Sequence, residues 1–168
     1  MTARRSLILA SAFLLLGGCG YSLRGSLPGH IRTVAIPVFA NKTQEPAVEN
    51  FLTRAVVDAF VTSGRLKVVR LEDADSIFEG EVTGYQLNAL SFNRQANVQE
   101  YRLTVTLNLQ FKDVKNNSVL WHKEGLPQTA DFRVQGQVSQ TISSEETALR
   151  TATVDIGRAI VNLTMERF

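Results

Sequence analysis

Few residues of this 168-residue chain have the types and spacing that chemistry requires. Cys19 is the only cysteine, so no intramolecular disulfide can form, and it is either an attachment residue or a free thiol. The two histidines, His30 and His122, lie far apart in sequence, and neither has a neighbour at metal-ligand spacing. Glu79 and Glu81 stand two apart on a strand pattern, hence on one face. Such a pair could do general acid/base work, but it reads equally as a solvated face. Asp73 and Asp75 read as turn residues rather than ligands. There is no Gly-x-Ser-x-Gly elbow and no phosphate-cradling glycine loop. Arg94, within Asn93-Arg94-Gln95, and the nearby Arg102 are suited to charge-assisted hydrogen bonds to phosphate. The sequence therefore offers an attachment residue and a possible anion contact, and no catalytic constellation, metal site or cofactor site.

The setting of Cys19 gives it meaning. Arg4 and Arg5 precede an apolar run from Leu7 to Leu16, and small Gly17 and Gly18 follow before Cys19. A charged start, a short apolar core and small residues at its end describe an export signal over residues 1–18. The run is too short for a membrane-spanning helix, which needs roughly 20 apolar residues. Leu16-Gly17-Gly18-Cys19 resembles the lipobox of bacterial lipoproteins. The resemblance implies diacylglycerol on the Cys19 thiol, cleavage before it and an N-acyl chain on the new terminus. Each buried CH₂ contributes about 0.8 kcal/mol, so several chains on one residue anchor a protein stably. Gly20 stands where aspartate would signal inner-membrane retention, which implies an anchor on the periplasmic side of the outer membrane.

Cleavage leaves about 150 residues, enough for one domain. The 18 basic residues exceed the 16 acidic ones by two, and Arg4 and Arg5 leave with the signal. A nearly neutral mature chain gives no electrostatic argument for nucleic acid. Residues 19–30, with Gly25, Pro28 and Gly29, read as a lipidated tether, and 31–168 as a single domain.

Within that domain the pattern predicts a strand over 32–39, with Pro37 marking an edge or an unpaired position. A loop follows over 41–46. A helix then opens with Pro46 in its first turn, has the stripe Val48, Leu52, Ala55, Val56 and Ala59, and is closed by Gly64. Leu66 to Val69 reads as a strand parallel to the first. A longer strand through Phe78, Gly80 and Val82 changes phase at Gly84, the mark of a β-bulge. From Tyr101 to Phe111 apolar residues alternate with Arg102, Thr104, Thr106, Asn108, Gln110 and Lys112, which gives a sheet dry on one face and wet on the other. A turn at 115–118 leads into a short strand over 119–123 with Val119 and Trp121 inward. Residues 125–142 read as a polar surface loop. Ser144 reads as the cap of a last helix with Glu145 and Glu146 near its start and the stripe Ala148, Ala152, Ile156, Ala159, Ile160 and Leu163. The sum is an α+β two-layer sandwich: one mixed β-sheet with two helices packed on one face.

Four segments carry a more specific resemblance: residues 18–25 (Gly-Cys-Gly-Tyr-Ser-Leu-Arg-Gly), 34–43 (Val-Ala-Ile-Pro-Val-Phe-Ala-Asn-Lys-Thr), 52–60 and 74–82. Together they resemble the LptE family of lipopolysaccharide-assembly lipoproteins. The resemblance implies a non-enzymatic protein that helps a large outer-membrane, LptD-like β-barrel fold, plugs its lumen and assists lipopolysaccharide insertion. Its partners would be that barrel and the glycolipid, whose phosphates would meet Arg94 and Arg102. It implies no cofactor beyond the acyl chains on Cys19. The Ile-Pro-x-Phe-x-Asn-x-Thr segment also resembles part of the cell-wall-synthase activators and of the curli-secretion pore proteins. A non-enzymatic regulator of a cell-wall synthase is therefore the alternative reading. The short tether favours the first, because an activator would need a long linker to cross the periplasm.

Overall fold

The computed structural model describes residues 27–133, 141–166 and 168, with the side chains of 141–149 excepted. The signal and Cys19 lie outside the described residues. The sheet contains β1 (Thr33–Ala35), β2 (Ala40–Asn41), β3 (Lys67–Val68), β4 (Ser76–Phe92), β5 (Val98–Asp113) and β6 (Ser118–Arg133). Its order is β3-β1-β4-β5-β6, and β2 lies beside β4 on the side of β1. The β1, β2 and β3 pairings are parallel and β4-β5-β6 is an antiparallel meander, so the sheet is mixed. Helix α1 (Val48–Ser63) and helix α2 (Thr141–Met165) cover one face. This is the expected α+β two-layer sandwich.

The first predicted strand is interrupted. Ala35 pairs with Ile77 and Ala40 with Glu81, so Ile36–Phe39 spans the three residues Phe78–Gly80 of β4. Pro37 has no N–H to donate, and the extra residue lets the chain bow. Phe39 turns inward as a result and fills the space that Gly80 leaves open; a Cβ at Gly80 would lie 2.4 Å from its ring. The backbone N–H of Phe39 donates to Thr53 Oγ1 at 2.9 Å, and that hydroxyl donates to the Glu49 carbonyl at 2.6 Å, which ties the bow to α1. Next to it, Asn41 Oδ1 accepts from the N–H and hydroxyl of Thr43, both at 2.8 Å, and its amide donates to the Glu45 carbonyl and to Glu49. The Asn-Lys-Thr segment therefore locks the loop that launches α1. Pro46 precedes the helix instead of entering its first turn, because Ala47 adopts a left-handed backbone at φ 64°. The predicted stripe of α1 is buried, and Gly64 ends the helix at φ 63°.

β4 shifts register at Gly84, as the phase change predicted, and again between Ala89 and Ser91. β5 buries Leu103, Val105, Leu107, Leu109 and Phe111. β6 corrects the reading of 125–142 as a loop: the strand continues to Arg133, with Ala130 opposite Leu103 and Phe132 opposite Tyr101. Lys123 pairs with Leu109 and Leu126 with Leu107, so β6 carries an extra residue there, and Gly125 takes φ 59°. That bulge moves the inward phase from odd to even positions and hides the alternation. Residues 134–140 of the predicted loop lie outside the described residues. A second irregularity places Val119 opposite Lys112, so Val119 is exposed and only Trp121 points inward.

α2 begins at Thr141, which puts Ser144 inside the helix rather than at its cap. The side chains of Ser144, Glu145, Glu146 and Ala148 lie outside the described residues. Ala152, Ile156 and Ile160 are buried as predicted, but Ala159 is exposed and Leu163 only half-buried. The buried stripe includes Thr153, Gly157, Val161 and Thr164 instead, because the helix also faces α1. The hydroxyls of Thr153 and Thr164 donate to carbonyls of their own helix, which lets threonine enter the core. Gly157 lies on the α1 backbone: a Cβ there would sit 2.7 Å from the Ala55 carbonyl carbon and oxygen.

Gly157→Ala sets two effects against each other. Helix propensity favours alanine by about 1 kcal/mol, whereas forcing the helices apart costs about 1–3 kcal/mol. The contact is with backbone, which cannot rotate away, so net destabilisation is expected in urea unfolding. A stabilised variant would show that the two helices separate freely.

Candidate functional site

The helix-free face of the sheet carries the wet side chains of β5, and register assigns each its neighbours. Asn88, Arg102 and Asp131 form one row across β4, β5 and β6, and Glu79, Gln110 and His122 another. Nε and Nη2 of Arg102 donate to the two carboxylate oxygens of Asp131, each at 2.7 Å. This bidentate contact raises the Arg102 pKa and lowers that of Asp131. Asn108 donates to Glu81 at 3.1 Å and accepts from the N–H of Gly125 at 2.9 Å, while Lys42 approaches Glu81 at 3.8 Å. Lys112 pairs with Glu79. The two glutamates thus have separate partners on a solvated face and do not form an acid/base couple. An open groove of about 460 Å³ beside them is lined by Pro37, Val38, Glu79, Glu81, His122 and Glu124, among others. Among the described residues no group of three or more His, Cys, Asp or Glu side chains is placed to hold a metal ion.

One end of the sheet is the β4–β5 hairpin. The Asn93 carboxamide oxygen accepts from the N–H groups of Gln95 and Asn97, both at 2.9 Å, and Ala96 takes φ 62°. Arg94 stands exposed on this turn, with no hydrogen bond or ion pair among the described residues. Leu90 and Phe92 beside it are 42% and 59% exposed. The structure therefore brings Arg94 and Arg102 to the same end in different states, the first free and the second held by Asp131.

The other end contains polar contacts that the sequence did not reveal. Asp113 closes β5 with 1% exposure. It bonds His30 Nε2 at 2.9 Å and accepts from the backbone and side-chain amides of Asn116 at 3.1 and 2.7 Å. Burial pushes its carboxyl pKa up, but these hydrogen bonds outweigh that and hold it below the ordinary value. The histidine read as part of the tether is thus docked on the domain, and Leu27 packs against the core. Asp75 accepts from the N–H groups of Arg32 and Thr33, both at 3.0 Å, and from the Thr33 hydroxyl at 2.8 Å, which pins β1 to β4. The Arg32 N–H is the main cause of its lowered pKa. The turn residues after Asp113 were a local signal for its role, but His30, 83 positions away, left none.

The fold defines a class of protein: an α+β two-layer sandwich with one polar, helix-free sheet face. No helix among the described residues is long and apolar enough to cross a membrane. The chain belongs to the lipopolysaccharide-assembly family LptE, whose family model matches residues 31–164. No curated protein matches the sequence. Among solved structures, a Xanthomonas campestris protein superposes with a TM-score of 0.55 at 14% identity, covering 81% of this chain and 85% of its own. A hypothetical protein from Chlamydia trachomatis gives 0.55 at 10% identity, with 80% and 96% covered. A minor lipoprotein from Acinetobacter baumannii gives 0.50 at 15% identity, with 80% and 93% covered. At these identities the likeness is one of fold.

The depressed pKa of Asp113 has a signed consequence. Its stabilising contribution is present above the unfolded-state value of about 3.9 and is lost as pH falls through the lower folded value. Asp113→Asn should lower stability at neutral pH and flatten the acid limb of a urea-derived stability profile. Asp75 and Asp131 shift in the same direction, so part of that limb should remain. Identical acid limbs in parent and variant would mean that Asp113 is not held ionised by the fold.

Proposed function

We propose that this LptE-family chain is anchored through acylated Cys19 on the periplasmic side of the outer membrane and seats its domain in the lumen of the lipopolysaccharide-translocating β-barrel. It acts there as plug, folding partner and aid to glycolipid insertion, and not as an enzyme. The observation that carries the reading is the polar, internally paired sheet face in a chain of this family. Transmembrane barrels have polar interiors, so a plug must present a hydrophilic face to the wall. The hairpin end supports direct glycolipid contact. Arg94 offers an uncommitted guanidinium to phosphate, and Leu90 and Phe92 offer apolar surface to acyl chains. Arg102 would contribute only the N–H groups that Asp131 leaves unused.

The lipidated chain, extracted from outer membrane in detergent, is expected to co-purify with a large β-barrel. Recovery without any barrel would remove the plug reading. Cys19→Ala should leave an uncleaved or mislocalised precursor; an unmodified amino terminus on the wild-type mature chain, seen by mass spectrometry, would remove the anchor. Arg94→Glu should weaken lipopolysaccharide binding by about tenfold or more, the loss of one charge-assisted contact. Barrel association should survive. Arg102→Gln should have the smaller effect. Undiminished binding by Arg94→Glu would place the glycolipid site elsewhere.

A further inference from the structure

The tether leaves the domain at one fixed end. His30 is bonded to Asp113 at the foot of β5, and Leu27 packs against the core. Leu27 is eight residues on from Cys19, a span of at most about 29 Å. The 16 residues of β5 extend about 50 Å from that end towards the hairpin tip. A domain anchored through Cys19 therefore cannot stand on its tip. The surface at the His30 end is gathered around Asp75. Its carboxylate accepts from the Arg32 N–H, and its carbonyl accepts from the Val114 N–H at 2.9 Å. The Asp73 carbonyl accepts from the Thr33 hydroxyl, which brings Leu71 to the same end. Leu71, Val114 and Val119 are each about half exposed there. Arg32, Lys67 and Lys115 stand exposed around them, with no ion pair among the described residues. The acids of this end are already committed: Glu72 and Asp73 to Arg70, and Asp113 to His30 and Asn116. Arg65, bonded to the Met165 carbonyl, offsets Glu166.

We propose that this end is a lipid-docking surface, which lies on the anionic headgroups of the leaflet that holds the Cys19 acyl chains. The proposal rests on the anchor reading above and concerns the chain before it enters a barrel. The tether selects the occupant, because the bilayer is the one surface that an anchor on Cys19 keeps within reach of this end at all times. The chemistry matches that occupant. Leu71 and Val114 offer apolar side chains to the boundary between headgroups and acyl chains. Arg32, Lys67 and Lys115 can lay their stems on that boundary while their charges meet lipid phosphates. Docking by this end turns the hairpin tip, with Arg94, away from the same leaflet.

Acylation occupies the Cys19 thiol, so one introduced cysteine is a unique labelling site. Ser118→Cys marks the docking end and Gln95→Cys the tip, both at exposed positions. Each acylated chain, carrying a thiol-linked fluorophore, is reconstituted without a barrel into vesicles of phosphatidylcholine and phosphatidylglycerol that contain a nitroxide-headgroup lipid. The label at 118 should be quenched and the label at 95 should stay bright. Lys67→Glu with Lys115→Glu should restore the fluorescence at 118 with an unchanged melting temperature. Arg54→Glu with Lys123→Glu makes the same change of net charge at exposed positions away from this end, and should leave the 118 label quenched. Flotation of the vesicles reads the anchor separately: a chain that does not float removes the anchor reading and this proposal with it. A floating chain whose 118 label stays bright, or whose two labels are quenched alike, overturns this proposal alone. So does a Lys67→Glu, Lys115→Glu variant quenched like the parent, or an Arg54→Glu, Lys123→Glu variant that loses the quenching.

Discussion

The structure depends on the convergence of aromatic rings on Phe78. Phe39 reaches it from the bow before β2, Phe60 from α1, Phe111 from β5 and Trp121 from β6, with centroids 5.4–6.5 Å away. Such pairs contribute about 0.5–1.5 kcal/mol each beyond the area they bury. The cluster joins local chain features to the whole. Pro37 and the extra residue before Phe39 release that ring from the ladder, and Gly80 leaves the volume it occupies. One side of the sheet is thereby committed to apolar packing, and alternation along β5 turns every second side chain to water.

That logic explains what was legible in the sequence. The alternation from Tyr101 to Phe111, the stripe of α1, the Gly64 stop and the Gly84 bulge are each encoded within a few residues by period or backbone conformation. So was the fold class, because it follows from the order of those elements. Features that depend on another strand were hidden. The inward phase of β6 changes at Gly125, so Ala130 and Phe132 looked like parts of a polar loop and Val119 looked buried. In α2 the stripe was misread by about one residue, since its position depends on how closely Gly157 lies on Ala55. Thr153 and Thr164 look polar in sequence and are buried because their own helix satisfies their hydroxyls.

The candidate site divides in the same way. Arg94 was visible because a cation in a turn between long strands is exposed by default. The state of Arg102 was not, because Asp131 belongs to a segment whose strand character was concealed. His30 and Asp113 are joined only in three dimensions. Family membership, by contrast, could be read from motifs whose physical work the structure explains. Ile-Pro-x-Phe builds the bow, Asn-x-Thr locks the loop after it, and Asp75 clamps Thr33.

The ladder of paired charges on the helix-free face has a meaning apart from stability. Exposed ion pairs contribute little to folding because water screens them and their side chains lose freedom. Their value changes once a partner covers the face. A lone charge taken from water meets a large desolvation penalty, whereas one already bonded to its counter-charge retains a partner when water leaves. Arg102 with Asp131 and Lys112 with Glu79 meet that condition before any partner arrives, and Glu81 has the Asn108 amide at 3.1 Å and Lys42 at 3.8 Å. The face can therefore be covered by another polar surface without stranding these charges. Arg94 does not meet the condition: covering it without supplying an anion would cost free energy. The two regions thus differ in what covering them costs: the ladder keeps its counter-charges, whereas the hairpin tip must be given one.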